Sequence, residues 1–230
     1  MEAEEITVSS EAEEYLEAIY RLEKKTGFAR TTELAHQLKV VPGSVTNTVE
    51  GLERRGLVIH EPYRGVKLTD KGRKIALDVL RRHRLAERLL TDILHLDWSE
   101  AHDAACELEH ALPPNITKLL EKALGHPKTC PHGNPIPTAC GGIIEQESEP
   151  LVNLSPKASC TIVKIREEEA EVLQYLATLG LTPGVCVEVE KKTPFDGPVT
   201  VKVGEAIHTL DYKVASIINV KRTDVRTGER

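Results

Sequence analysis

The chain has 230 residues, 40% hydrophobic and 29% charged, a balance ordinary for a globular protein and a length sufficient for about two domains. It contains no apolar run approaching the ~18 residues of a membrane span, and its acidic start MEAEEITVSSEAEE lacks the basic and apolar regions of a signal peptide, so a cytoplasmic protein with no membrane partner is expected. A net charge of −6 argues against a uniformly basic nucleic-acid binder, and five dispersed cysteines, an odd number, argue against a disulfide framework.

The charge is unevenly spread. From Arg21 to Arg84 there are 15 Lys and Arg against 7 Asp and Glu, which places any phosphate-binding surface in the N-terminal third. Ser10 with Glu13 three residues later forms a capping box, and Ala12, Tyr15, Leu16, Ile19 and Leu22 recur at helical spacing to about Lys25. Glu14 and Glu17 share one side of this helix, ordinarily a solvated edge.

From Arg30 the pattern predicts a short helix over 32–38, a break through Val41, Pro42 and Gly43, and a second helix carrying Val45, Val49 and Leu52. This is the helix-turn-helix outline, and Ser44, Thr46, Asn47 and Thr48 at the start of its second helix, with Arg30 before the first, are candidate DNA contacts. Two short strands, 57–60 and 66–68, follow around a turn with Arg64 at its tip, a further candidate DNA contact, completing a winged helix. A generic three-helix fold using its hairpin for protein contacts is the alternative.

Thr69 or Asp70 then caps a long helix whose apolar set, from Ile75 to Ile93, is too broad for one small domain to cover. Ala101, Ala104 and Ala105 on the next helix, about 99–112, are small enough for a partner helix to approach, so a homodimer is expected. The run from Arg81 to His110 concentrates the chemistry. His83 and Glu87 stand four apart, while His102, Cys106, Glu109 and His110 fall within roughly a 100° arc of one helix face. Singly, each reads as surface or a buried thiol. Jointly, two imidazoles, a thiolate and a carboxylate on one arc make a divalent-metal row.

Residues 125–156, rich in Pro and Gly, read as a linker. Within it Cys130, His132 and Cys140 form at most a partial zinc site, lacking a fourth ligand and a finger spacing. Strands then dominate, at 160–165, 185–190, 199–203 and 217–221, with a helix at 167–179 bearing Glu171 and Gln174, which suggests a small SH3-like barrel. The expected fold is mainly α with small β parts: a winged helix-turn-helix over 1–70, a helical metal-binding and dimerisation domain over 71–124, the linker, an SH3-like β-barrel over 157–222, and a tail from 223.

The segments SVTNTVEGLERRGLV, HRLAERLLTDIL, HDAACELEH and GNPIP, in that order, resemble the diphtheria toxin repressor family, specifically its iron-dependent branch, through nearly the whole chain. That resemblance implies a metal-dependent repressor, not an enzyme, with no small organic substrate. It binds operator DNA as a homodimer when loaded with two metals per subunit. It implies an ancillary site from His83, Glu87 and His102 with Glu171 and Gln174, an anion held by Arg84 and Asn134 beside Cys130, and a regulatory site from Cys106, Glu109 and His110 with a first-helix residue. Aligning on Tyr15 and Leu16 places Glu14 at that first-helix position, where iron-responsive members usually carry Met, with Glu17 the neighbouring alternative. A thiolate favours Fe2+, Co2+, Ni2+ or Zn2+ and a carboxylate draws the balance towards Mn2+; Fe2+ is the favoured metal.

Overall fold

A computed structural model describes residues 8–223, which divide into two compact units: residues up to Arg82 with Pro137–Gly142, and His83–Ile136 with the remainder. The expected tail therefore lies outside the described residues except for Thr223.

In the first unit α1 spans Ser10–Thr26, and its cap is Ser9 rather than Ser10, because the Ser9 side chain accepts the amide of Ala12. Gly27, at φ 84°, ends the helix in the left-handed conformation that lets its N–H return to the Glu23 carbonyl. Helices α2 (Thr31–Gln37) and α3 (Pro42–Arg54) form the helix-turn-helix, Pro42 sitting at the start of α3 where its missing N–H costs nothing. Strands β1 (Val58–Glu61) and β2 (Gly65–Leu68) pair antiparallel, and Ala29 adds a third backbone rung through reciprocal bonds with Val66. Gly65 is required there, since a Cβ would lie 2.6 Å from the Ala29 carbonyl oxygen. α1 packs on α2 and β2, α2 on α3, and α3 on β1, burying Leu16, Ile19, Leu34, Val45, Leu52, Leu57 and Val66. The winged helix is therefore present as expected.

Helix α4 (Asp70–Arg88) opens with the Thr69 hydroxyl accepting the Gly72 amide, and the division between the units falls within it. In the second unit a π-helical turn, Leu89–Ile93, continues the chain. Helix α5 covers only Ala101–Leu108, and the backbone tightens into a 3-10 turn over Glu109–Ala111 before α6 (Pro114–Ala123). Ala101 and Ala105 are fully buried within the chain, Ala105 against Leu85, Ala86, Leu112 and Leu120, so their small size serves internal packing rather than an open helix face.

The segment expected to be a linker is partly core. Cys130, His132, Asn134 and Ile136 are buried, and Gly133, at φ 84°, lies so close to the next strand that a Cβ would sit 2.0 Å from the Val163 carbonyl oxygen. Six antiparallel strands follow: β3 (Glu149–Pro150), β4 (Ser159–Ile165), β5 (Cys186–Lys192), β6 (Val199–Val203), β7 (Ala206–Leu210) and β8 (Ile218–Arg222), in the order β3-β8-β4-β5-β6-β7. Helices α7 (Ala170–Thr178) and α8 (Tyr212–Ile217) accompany this SH3-like sheet. A register shift between Ile162 and Lys164 breaks the alternation of β4, turning Ile165 inward with Cys160 and Ile162 and leaving Lys164 outside the core. β7 and α8 escaped the sequence pattern because Leu210 is the one buried residue of β7, leaving no alternation to read.

Candidate metal centre

Residues expected to bind metal converge in the second unit on Glu87, which projects from α4 with both carboxylate oxygens fully buried. Its Oε1 lies 3.1 Å from His132 Nδ1, 3.3 Å from His83 Nε2 and 3.6 Å from His102 Nδ1. None of these approaches is aligned as a hydrogen bond, so a buried carboxylate directs its lone pairs into a nest of imidazoles without a properly placed donor. A cation at this point would satisfy them. The donor atoms of Glu87, Cys130 and His132, and likewise those of Glu87, His102 and Glu168, lie within 4.8 Å of one another.

His83, fully buried, faces two ways. Its Nε2 looks towards Glu87 and lies 3.0 Å from His102 Nδ1, while its Nδ1 lies 2.6 Å from Glu109 Oε2 and 4.0 Å from Cys106 Sγ. Glu109 Oε1 is in turn 3.3 Å from His110 Nε2, and Cys106 Sγ is 3.9 Å from His102 Nε2. Cys106, Glu109 and His110 are thus brought to one side of His83 and Glu87 to the other. The change from α-helix to 3-10 turn after Leu108 means that a continuous 100° wheel describes His102 and Cys106 but not Glu109 and His110.

Two expected ligands are not brought to the cluster. Glu171 and Gln174 are exposed on α7, and the acid that reaches His102, at 3.5 Å, is Glu168 in the turn before that helix. Arg84 and Asn134 are occupied within the protein: the Arg84 guanidinium donates to the Pro135 carbonyl, and the Asn134 amide donates to Ile165 O at 3.2 Å and to Glu168 Oε1 at 3.1 Å. The Asn134 amide expected to face an anion thus meets a carboxylate of the chain itself, while the Arg84 Nε is buried without a hydrogen-bond partner. Cys140 is exposed in the Thr138–Gly142 turn, whereas Cys130 and His132 are buried against Glu87. Trp98 holds this corner: its Nε1 donates to Pro131 O and its carbonyl lies 3.0 Å from His132 Nε2, leaving His132 Nδ1 as the ligand atom turned to Glu87. The signal for Glu168, Cys130 and His132 lay in REEE and CPHG, which lack helical period and therefore no face could be assigned.

The electrostatics follow from this crowding. Burial pushes Glu87 up, but His102, His132 and His83 together hold its carboxyl well below the usual range. Burial lowers His102, yet Cys106, Glu87 and Glu168 outweigh it and raise the imidazole to about 10. His83 and His132 are also raised against burial, by Cys106, Glu109 and Glu87 in one case and by Glu87 in the other. Burial raises the Cys106 thiol, but His102 and His83 bring it below its ordinary value, whereas Cys130 is raised well above its own by burial and Glu87.

Metal enters such a site as protons leave. With its imidazole raised to about 10, a metal that took His102 as a ligand below that pH would displace at least its proton. Apparent affinity for Mn2+ or Co2+ should rise by about tenfold per pH unit for each proton displaced. Calorimetry in two buffers of different ionisation heat counts those protons; binding near neutral pH with none released would contradict the charged cluster.

In the first unit Arg30, Ser44, Thr46 and Asn47 are exposed, Thr48 is half-buried, and the Thr46 hydroxyl donates to Pro42 O at 3.2 Å. Arg64 is exposed on the wing. Glu14 is exposed on α1, and Glu17 is buried with Arg21 at 2.8 Å.

A winged helix followed in the chain by a buried His, Glu and Cys cluster and an SH3-like sheet defines a metal-dependent DNA-binding regulator. The iron dependent repressor N-terminal DNA binding domain matches residues 7–66, the iron dependent repressor metal binding and dimerisation domain residues 69–138, and the FeoA domain residues 149–222. The chain is 34% identical to the iron-dependent repressor IdeR of Mycobacterium tuberculosis, over 91% of this chain and 96% of that one. It is 40% identical to the diphtheria toxin repressor of Corynebacterium efficiens, over 92% and 95%. Among solved structures, a manganese-dependent transcriptional repressor in complex with manganese superposes with a TM-score of 0.83 at 30% identity, covering 92% of this chain and all of that one. The IdeR of T. acidophilum superposes with a TM-score of 0.78 at 28% identity, covering 94% and 99%. The chain belongs to the iron-dependent repressor family, whose members are transcriptional repressors. No helix among the described residues is long and apolar enough to cross a membrane.

Proposed function

We propose that this chain is a cytoplasmic repressor that binds operator DNA as a homodimer when loaded with Fe2+, two ions per subunit, and so controls genes of metal homeostasis. The observation that carries the metal reading is Glu87, a buried carboxylate without aligned donors among His83, His102 and His132. One ion is held by Glu87 with His83, His102 and Glu168, Cys130 and His132 lying within reach; Glu171 and Gln174 are left as surface residues. The other is held by Cys106, Glu109 and His110 with Glu14 as the first-helix ligand and Glu17 as the alternative. Exposed Ile93, Leu94, Ile116 and Leu119 support the dimer, since four apolar side chains open to water on one domain favour a partner.

The ion's role is to favour the DNA-competent arrangement; a preference of about 100-fold corresponds to about 2.7 kcal/mol, within the usual allosteric range. Anaerobic titration of duplex retention with Fe2+, Mn2+ and Zn2+ after chelation tests the reading. Retention should appear only with metal, and Glu14→Met should shift preference from Mn2+ towards Fe2+. Retention that survives chelation rules out the effector role, and an unchanged preference in Glu14→Met removes Glu14 as the selectivity residue.

A further inference from the structure

Phe28 is the half-buried aromatic residue that links α1 to the wing, and two cations lie over its one ring: Lys67 Nζ at 4.0 Å from the centroid and the Arg64 guanidinium carbon at 5.5 Å. The local backbone explains how they meet. Ala29 is bonded to Val66 on both sides and both are buried, so strand alternation turns their neighbours, Phe28 and Arg30 on one segment and Lys67 on the other, to the opposite face. The carboxylates around this face are engaged elsewhere or weakly placed. Glu23 accepts the Leu68 amide and pairs with Arg73, Glu33 accepts the Arg30 amide at 3.3 Å, and Glu61 lies 3.4 Å from Arg64 on open surface. The result is a small platform presenting Arg64 and Lys67 together over one ring.

We propose that this Phe28 platform is a clamp for the DNA phosphate backbone, with Lys67 and Arg64 as the contacts and Phe28 as the residue that positions them. Lys and Arg side chains carry much rotamer freedom, and holding two of them over one aromatic face removes part of that cost before DNA arrives. Two cations on one ring repel each other, an arrangement that a phosphate between them relieves. The inference rests on the DNA-binding reading and adds to the expected contact Arg64 a second cation, Lys67, and the positioning residue Phe28.

The test uses the full-length protein loaded with Mn2+ and a fluorescent mixed-sequence duplex, with affinity read by anisotropy across a salt series. Phosphate contacts act independently of sequence and appear in the salt slope. Arg64→Gln and Lys67→Gln should each reduce the slope by about 0.9. Phe28→Leu should weaken binding about 2–5-fold and reduce the slope in the same direction, while Phe28→Tyr, which keeps the π face, should match the unsubstituted protein. An unchanged slope in the Arg64→Gln, Lys67→Gln double variant overturns the clamp, and so does wild-type affinity and slope in Phe28→Leu. Failure of the unsubstituted metal-loaded protein to bind the duplex overturns the repressor reading itself, a different result from either.

Discussion

Glu87→Ala should lower metal affinity at its site by at least about 100-fold, more than any other single substitution in the cluster. Every other donor there is placed by reference to this carboxylate: His132 Nδ1, His83 Nε2 and His102 Nδ1 lie 3.1, 3.3 and 3.6 Å from its Oε1, and it belongs both to the group with Cys130 and to the group with Glu168. Its removal takes from His132 the carboxylate that mainly holds its proton, and weakens that hold at His83 and His102, which keep Cys106, Glu109 and Glu168 beside them. A second signature follows. Proton release on metal binding, large in the unsubstituted protein, should fall in Glu87→Ala. Calorimetric titration with Mn2+ or Co2+ measures both quantities, and Glu87→Gln, of the same shape, separates loss of a ligand from loss of packing. Affinity within about threefold of the unsubstituted value in both variants would show that Glu87 does not ligate.

Glu109→Ala should abolish metal-dependent DNA binding, a loss approaching the full effect of about 100-fold assigned to metal. Glu109 is buried in the tight turn after α5, with one oxygen 2.6 Å from His83 and the other 3.3 Å from His110. It is the residue through which His110 reaches His83, while Cys106 Sγ approaches the same imidazole directly at 4.0 Å. The carboxylate can be lost without unfolding the chain, because His83 can discharge its proton; a destabilisation of about 1–3 kcal/mol is expected, visible as a lowered thermal midpoint. His110→Ala should behave similarly on DNA with a smaller stability cost. Anisotropy with duplex, run beside circular dichroism, reads the two effects separately. Duplex binding by Glu109→Ala at ordinary metal concentrations would remove this residue from the regulatory site. The contrast with Glu87→Ala is informative, since the two substitutions lie on opposite nitrogens of one imidazole and should affect different metal equivalents.

Much of this was legible along the chain because it is local. The capped amphipathic helix, the Pro42 break before α3 and the two short strands of the wing are set by spacing and turn chemistry within a few residues, and each was found within one or two positions of its expected limits. The clustering of His83 with Glu87 and of His102 with Cys106 was readable for the same reason, as a four-residue step places side chains on one face whatever the helix packs against.

The rest of the cluster around Glu87 was decided by contacts distant in sequence. Glu171 and Gln174 came from the family resemblance rather than from any spacing; the fold exposes both and turns Glu168, in the turn before their helix, to His102. Cys130 and His132 sat in a Pro and Gly segment that composition assigns to a linker. Gly133 lets that segment lie directly on β4, with Ile165 donating to the His132 carbonyl at 2.9 Å, and burial against Glu87 follows. Sequence alone thus determined the element types, the winged helix and the grouping of His, Glu and Cys along the Arg81 to His110 run, because helical and strand periods are properties of neighbouring residues. Tertiary structure alone decided which acid closes the cluster, which thiol is buried in it and that Arg84 and Asn134 are internally engaged. Those outcomes depend on which surfaces meet after loop closure, and no period along the chain encodes that.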